Sequence, residues 1–247
     1  MVATFKIERG NLSSRSVKDY TIEVSEGMVV LDAVLQIQAE HANDLAVRWN
    51  CKAGHCGSCS AEVNGMPKLM CMTRLSSLPL EKPVLIQPMK TFPLIKDLAT
   101  DVSWNFRTKR TIKKFKPRPA DASDGTWRMD QRDVDRVQEF RKCIECFLCQ
   151  DVCHVLREHQ LHEKFIGPRL MVHVAALEMH PLDVEDRRED LKKNNGVGYC
   201  NITKCCTKVC PEEIRITDNA IIPLKERVVD KYYDPLKQLL RFFKIIS

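Results

Sequence analysis

The sequence contains no run of about 18 apolar residues, the length a membrane-crossing helix needs, so the chain is expected not to span a bilayer. No secretory leader stands before Thr4-Phe5-Lys6-Ile7, which already reads as a strand. The thiols are therefore expected in a reducing compartment, where grouped cysteines serve as metal ligands more often than as disulfides. No arrangement of paired carboxylates, or of nucleophile and base, marks a site for acid–base chemistry. Low-complexity segments are also missing, and a hydrophobic content of 44% is enough to build cores and excludes a disordered chain. The net charge of +6 is mild. Much of it lies in Arg107, Lys109, Arg110, Lys113, Lys114, Lys116 and Arg118. Without interleaved aromatics or a binding motif, nucleic acid is not an expected partner. The run reads as a solvated linker, or as a contact for an acidic partner or anionic headgroups.

What the sequence does have is cysteine: twelve residues, falling into three sets of four. Cys51, Cys56, Cys59 and Cys71 follow the C-x4-C-x2-C…C spacing of plant-type two-iron sites. Cys143, Cys146, Cys149 and Cys153 form the C-x2-C-x2-C-x3-C run of cluster-binding ferredoxins. Cys200, Cys205, Cys206 and Cys210 complete the supply.

Secondary structure changes character along the chain. Residues 3–8 and 19–25 alternate apolar and polar and predict a hairpin turned at Asn11–Ser14. Val29–Ala39 has helical spacing and should pack on that sheet. Ala61–Val63 and Lys68–Met70 flank Asn64-Gly65 as a second hairpin, and Pro83–Gln87 adds a strand. From about residue 95 strand signals fade. Residues 111–129 read as an irregular connection, and Asp133–Arg141, Phe165–Met179, Asp218–Lys231 and Pro235–Ile246 read as helices. The expected fold is α+β: an N-terminal β-grasp plant-type ferredoxin domain, residues 1–104, then an all-α two-cluster ferredoxin-like domain, residues 105–247.

In two-cluster ferredoxins the fourth cysteine of each run ligates the other cluster. Applied here, Cys143, Cys146, Cys149 and Cys210 hold a [4Fe-4S] cluster, and Cys153 belongs with the last run. Laid on that run, the same template asks for positions 200, 203, 206 and 210, and position 203 is threonine. A cubane short of one cysteine commonly lacks one iron, so Cys153, Cys200 and Cys206 are expected to hold [3Fe-4S]. Cys205 is then spare, or else it replaces the missing ligand. Adjacent side chains point in different directions, which favours the spare thiol. Cys51, Cys56, Cys59 and Cys71 are expected to hold [2Fe-2S]. His55 lies inside that loop, but a Rieske centre needs two histidines, so His55 reads as exposed and structural.

One plant-type site followed by paired four-iron and three-iron sites resembles the iron–sulfur subunits of succinate dehydrogenase and fumarate reductase. The likeness extends to Cys56-Gly-Ser-Cys59, Asn64-Gly65, Phe165-Ile-Gly-Pro168 and Val209-Cys-Pro211. It implies an electron-transfer subunit with no substrate catalysis of its own. Its partners would be a flavoprotein carrying FAD, membrane anchor subunits with or without haem, and a quinone. It would sit peripherally on the cytoplasmic face of a bacterial inner membrane, held by the anchor. The chain departs from many members in having neither proline nor tryptophan after Cys153 and no histidine after Cys200. His154, Arg157 and Asn201 are then the candidate quinone residues, and the branch is expected to be bacterial, away from the best-known members. The amphipathic stretch from Leu236 to Ile246 reads as a capping helix or as a patch that docks on the membrane partner.

Overall fold

A computed structural model gives the fold and describes residues 1–235. Strands β1 (Val2–Gly10) and β2 (Arg15–Glu23) pair antiparallel with Val2 opposite Glu23. The period of two puts Ala3, Phe5 and Ile7 on one buried face. The turn between them is closed by the Asn11 side chain, whose oxygen accepts the N–H groups of Ser13 and Ser14 at 2.9 and 3.2 Å. Helix α1 (Val30–Glu40) buries Val30, Leu31, Val34 and Ile37 in the same core. Asp32 caps its first turn by accepting the Val29 N–H at 3.1 Å. Strands β3 (Ser60–Val63) and β4 (Met66–Leu69) form a hairpin across Asn64-Gly65, both in the left-handed region. Strand β5 (Val84–Gln87) runs parallel to β1 and antiparallel to β3, which gives the sheet order β2-β1-β5-β3-β4.

The strand signal does not end there. Leu94–Lys96 (β6) and Ala99–Thr100 (β7) pair as a small sheet just where helical character was expected to begin. Asp97, at φ +50°, turns this ribbon back. Its carboxylate accepts the Gly10 and Ala46 N–H groups at 2.7 and 2.8 Å and pairs with Arg9 at 3.1 Å, pinning the ribbon to the first body.

Helix α2 (Ser103–Thr111) leads into an irregular segment bearing one backbone bridge, Pro117 to Asp183. Then come α3 (Gln131–Gln138), α4 (Leu148–Asp151), α5 (His154–Arg157), α6 (Gly167–Glu178), α7 (Arg188–Lys193) and α8 (Cys205–Lys208). A π-helical stretch, Ile216–Ile221, runs into α9 (Ile222–Tyr232). The stretch from Leu236 to Ile246 lies outside the described residues. Mixed α/β architecture therefore comes first and a helix-rich body second. The two larger hydrophobic cores among the described residues follow the same division, yet Cys146 and Leu148 of the second half are buried in the first, and a small third cluster joins Met89, Phe92 and Val102 to Phe147.

Three of the seven residues of the basic run form ion pairs within the chain. Lys109 pairs with Glu145, Lys113 lies 3.4 Å from Glu185 and 3.1 Å from Asp190, and Arg118 pairs with Asp121. Among the described residues no helix is long and apolar enough to cross a membrane.

Candidate iron–sulfur centres

The first cysteine set is built by one loop and one hairpin. Cys59 immediately precedes β3 and Cys71 follows β4 two residues after its end, so the Ser60–Leu69 register brings them together, with the Cys71 N–H directed at Cys59 Sγ at 3.5 Å. Positive φ angles at Lys52, Gly54 and Gly57 coil the preceding loop. Its N–H groups then point inward: Ala53 and His55 donate to Cys51 Sγ at 3.4 and 3.3 Å, and Ser58 to Cys56 Sγ at 3.4 Å. N–H donors aimed at sulfur suit a thiolate-held cluster and tune it. His55 itself is exposed.

The second and third sets exchange a member. One cavity is lined by Cys143, Cys146, Cys149 and, from the last run, Cys210. Glu145 and Phe147, both at positive φ, wind the chain so that the first three face it. Arg169 also lines this cavity; it is 5% exposed and paired with Glu145, and its Nε is buried without a hydrogen-bond partner. A buried cation with a free donor beside four thiols fits an anionic group in the cavity. A second cavity is lined by Cys200, Cys205, Cys206 and, from the middle run, Cys153. His154, Asn201 and Thr203 share its wall. Arg157 does not line it. It turns to the first body and pairs with Glu62 of β3 at 2.8 Å, where Lys90 also approaches at 2.9 Å.

Burial pushes the Cys59 and Cys146 thiols up to about 12 and Cys153 to about 11, and raises the fully buried Cys149 well above its ordinary value. At Cys56 burial is outweighed by hydrogen bonds from Cys51 and Ser58, which bring the thiol down to about 7. Metal-free, the buried thiols therefore keep their protons, and iron binding must displace them. Among the described residues no three His, Cys, Asp or Glu side chains converge on a point that would hold a single ion. Backbone N–H groups aimed at the Cys51 and Cys56 sulfurs, and the buried Arg169 beside the second set, fit anionic thiolate-held clusters.

The first two sets touch. Ser60 Oγ donates to the Cys146 carbonyl at 2.8 Å, and a Cβ on Gly57 would stand 2.4 Å from Cys146 Cα. Gly57→Ala, at φ +67°, should therefore cost about 2–5 kcal/mol, combining left-handed strain with overpacking. Thermal unfolding of the assembled complex checks this; a variant melting within error of wild type would mean the loops are not in contact. Ser60, Glu62 and Arg169 carried no signal in the sequence, because hydroxyl-to-carbonyl contacts and buried charge partners depend on which elements meet.

Comparison with known proteins is consistent along the chain. The 2Fe-2S iron-sulfur cluster binding domain family matches residues 4–107, and the 4Fe-4S dicluster domain family matches residues 139–214. The chain is 31% identical over 209 residues, 82% of each protein, to the fumarate reductase iron-sulfur subunit of Mycobacterium tuberculosis. It is 29% identical over 216 residues, 81% of each, to the succinate dehydrogenase iron-sulfur subunit of Bacillus subtilis. A solved chain of the Mycobacterium smegmatis Sdh1 complex in the apo form superposes with a TM-score of 0.91 at 56% identity, covering 95% of this chain and 98% of that one.

Proposed function

The chain belongs to the iron–sulfur subunits of succinate dehydrogenases and fumarate reductases, and from that we propose that it is the electron relay of a succinate:quinone oxidoreductase, joining a FAD-bearing flavoprotein to a quinone at a membrane anchor. In this reading residues 1–104 form a β-grasp domain whose Cys51, Cys56, Cys59 and Cys71 hold [2Fe-2S]. Residues 105–247 hold [4Fe-4S] on Cys143, Cys146, Cys149 and Cys210, and [3Fe-4S] on Cys153, Cys200 and Cys206. The clusters, when bound, supply one-electron acceptors that divide the two-electron dicarboxylate reaction into single transfers.

The observation that carries the reading is the exchange of Cys153 and Cys210 between the two cavities. It supports a paired dicluster body over three independent sites. The rest of the chain positions. Gly57 and Ser60 hold the first loop against Cys146, which gives a short covalent and hydrogen-bonded route between the first two sets. Cys51 is exposed beside Arg48 and Trp49, a face suited to receiving electrons from the flavoprotein. At the other end His154 and Asn201 flank the third set and are the residues best placed to meet the quinone. Arg157, the third candidate, is tied to Glu62 and also fixes the turn after Cys153.

Electron paramagnetic resonance of the oxidised complex tests this. A near-isotropic three-iron signal, in about one-to-one ratio with the chain, should be present before any reductant is added, and two-iron and four-iron signals should follow on stepwise reduction. A complex whose third set gives no such signal, with or without Cys205, would defeat the assignment.

A further inference from the structure

We propose that Cys205 is a reserve ligand: when the three-iron cluster is reduced, Cys205 takes a ferrous ion into the vacant corner and the third set becomes a four-iron site. The inference rests on the three-iron reading above and concerns the one cysteine that reading leaves unused.

Three features carry it. First, all four thiols of the third set line one cavity, Cys205 among them. Neighbouring residues were expected to diverge, yet both Cys205 and Cys206 reach the cavity. Lys204, at φ +60°, turns the chain immediately before them, and α8 begins at Cys205. Second, Cys205 stands where the ligand is missing. Thr203 occupies the template position, and its Oγ1 lies 3.3 Å from Cys205 Sγ. A threonine hydroxyl is a poor ligand for iron in a sulfide cluster, whereas a thiolate is a good one. The chain thus offers a sulfur beside the residue at which its spacing lacks one. Third, Cys205 is half-buried, whereas Cys206 is buried and its sulfur sits 3.4 Å from the Thr217 hydroxyl. The two neighbours therefore have different surroundings within one cavity, and the half-buried Cys205 is the one an incoming ion reaches from solvent. A corner iron needs one protein thiolate and three sulfides, so a single additional sulfur is sufficient.

The step balances without an external oxidant. Reduced [3Fe-4S] of core charge 0 plus Fe2+ gives [4Fe-4S] of core charge 2+. Cys205 S–H loses its proton to solvent as the new Fe–S bond forms. The only electron required is the one that reduced the three-iron cluster, which the relay supplies. Loss of Fe2+ with reprotonation of Cys205 is the reverse. The site would thereby sense ferrous iron under reducing conditions and change the terminal acceptor of the chain.

The test uses the purified complex, wild type and Cys205→Ala, reduced with dithionite, incubated anaerobically with ferrous ammonium sulfate, desalted and mildly reoxidised. In wild type the oxidised three-iron signal should fall at least about fivefold as iron at this site rises from about three to about four. In Cys205→Ala the signal should be unchanged. The two-iron signal of the same sample reports that the variant has folded. Retention of the three-iron signal in wild type, or equal conversion in the variant, overturns the proposal. A wild-type complex that is silent as isolated, whose Cys205→Ala variant shows the three-iron signal, means that the reserve position is already filled and supports it. Silence in both means that the three-iron reading has failed, and the proposal with it.

Discussion

Cys210→Ser should remove the four-iron cluster and leave the three-iron cluster in place, although Cys210 belongs by sequence to the run proposed to supply the three-iron ligands. Cys210 faces Cys143, Cys146 and Cys149 across one cavity, while Cys200 and Cys206, from its own run, face Cys153 across another. The segment after α8 accounts for this. Cys206 lies in the first turn of α8, and Cys210 lies beyond its end, after the chain has turned back toward α4 and α6. The four-iron signal should be absent from the reduced spectrum, with the oxidised three-iron signal and the reduced two-iron signal retained. Altering groups that only support a metal ligand costs about 10–100-fold, so losing a ligand from the middle of the relay should lower succinate-dependent quinone reduction by more than about 100-fold. Loss of the three-iron signal with the four-iron signal intact would reverse the assignment of Cys153 and Cys210.

Much of this was legible because cluster ligation leaves its mark in spacing. Three short gaps require one loop, and the fourth cysteine must return from a neighbouring element; Cys71, at the end of a hairpin announced by Asn64-Gly65, shows both requirements in sequence order. The hairpins and the longer helices were readable for a similar reason, since periods of two and 3.6 are imposed locally. Other features depend on tertiary context. The β6–β7 ribbon is three residues against two, too short to show a period, and it is held by Asp97, whose partners Gly10 and Ala46 are far away in sequence. The helical turns α4, α5 and α8 are four residues each, too short to show a helical period in sequence. Arg157 illustrates the limit most directly. Its nearness to Cys153 was readable, but its 2.8 Å ion pair with the fully buried Glu62 of β3 was not, because that partner lies far away in sequence.

A different long-range contact carries the largest expected loss of stability. Arg187 is 1% exposed and holds the irregular segment after α2 against the second body. Its guanidinium donates to the carbonyls of Lys113, Lys114 and Glu185 at 2.9, 2.7 and 3.2 Å, and pairs at 2.8 Å with the Asp183 carboxylate, whose side chain is fully buried. Arg187→Met keeps most of the volume and removes every one of these donors. Asp183 is then a buried carboxylate without its cation, a loss of about 3–5 kcal/mol. At about 2–4 °C per kcal/mol for a chain of this size, the melting temperature of the complex should fall by about 6–20 °C at fixed concentration and scan rate. Removing both charges separates the causes. Arg187→Met with Asp183→Asn, which keeps an oxygen to accept the Lys116 and Glu185 N–H groups at 3.2 and 3.0 Å, restores the part due to the stranded carboxylate and leaves about 1–3 kcal/mol for the unpaired carbonyls. Lysine at 187 should recover little, because one ammonium cannot reproduce a planar fork reaching three carbonyls and a carboxylate at once. A double variant no more stable than Arg187→Met would show that the carbonyl contacts, and not the ion pair, anchor the segment; a single variant that melts with wild type would show that neither does.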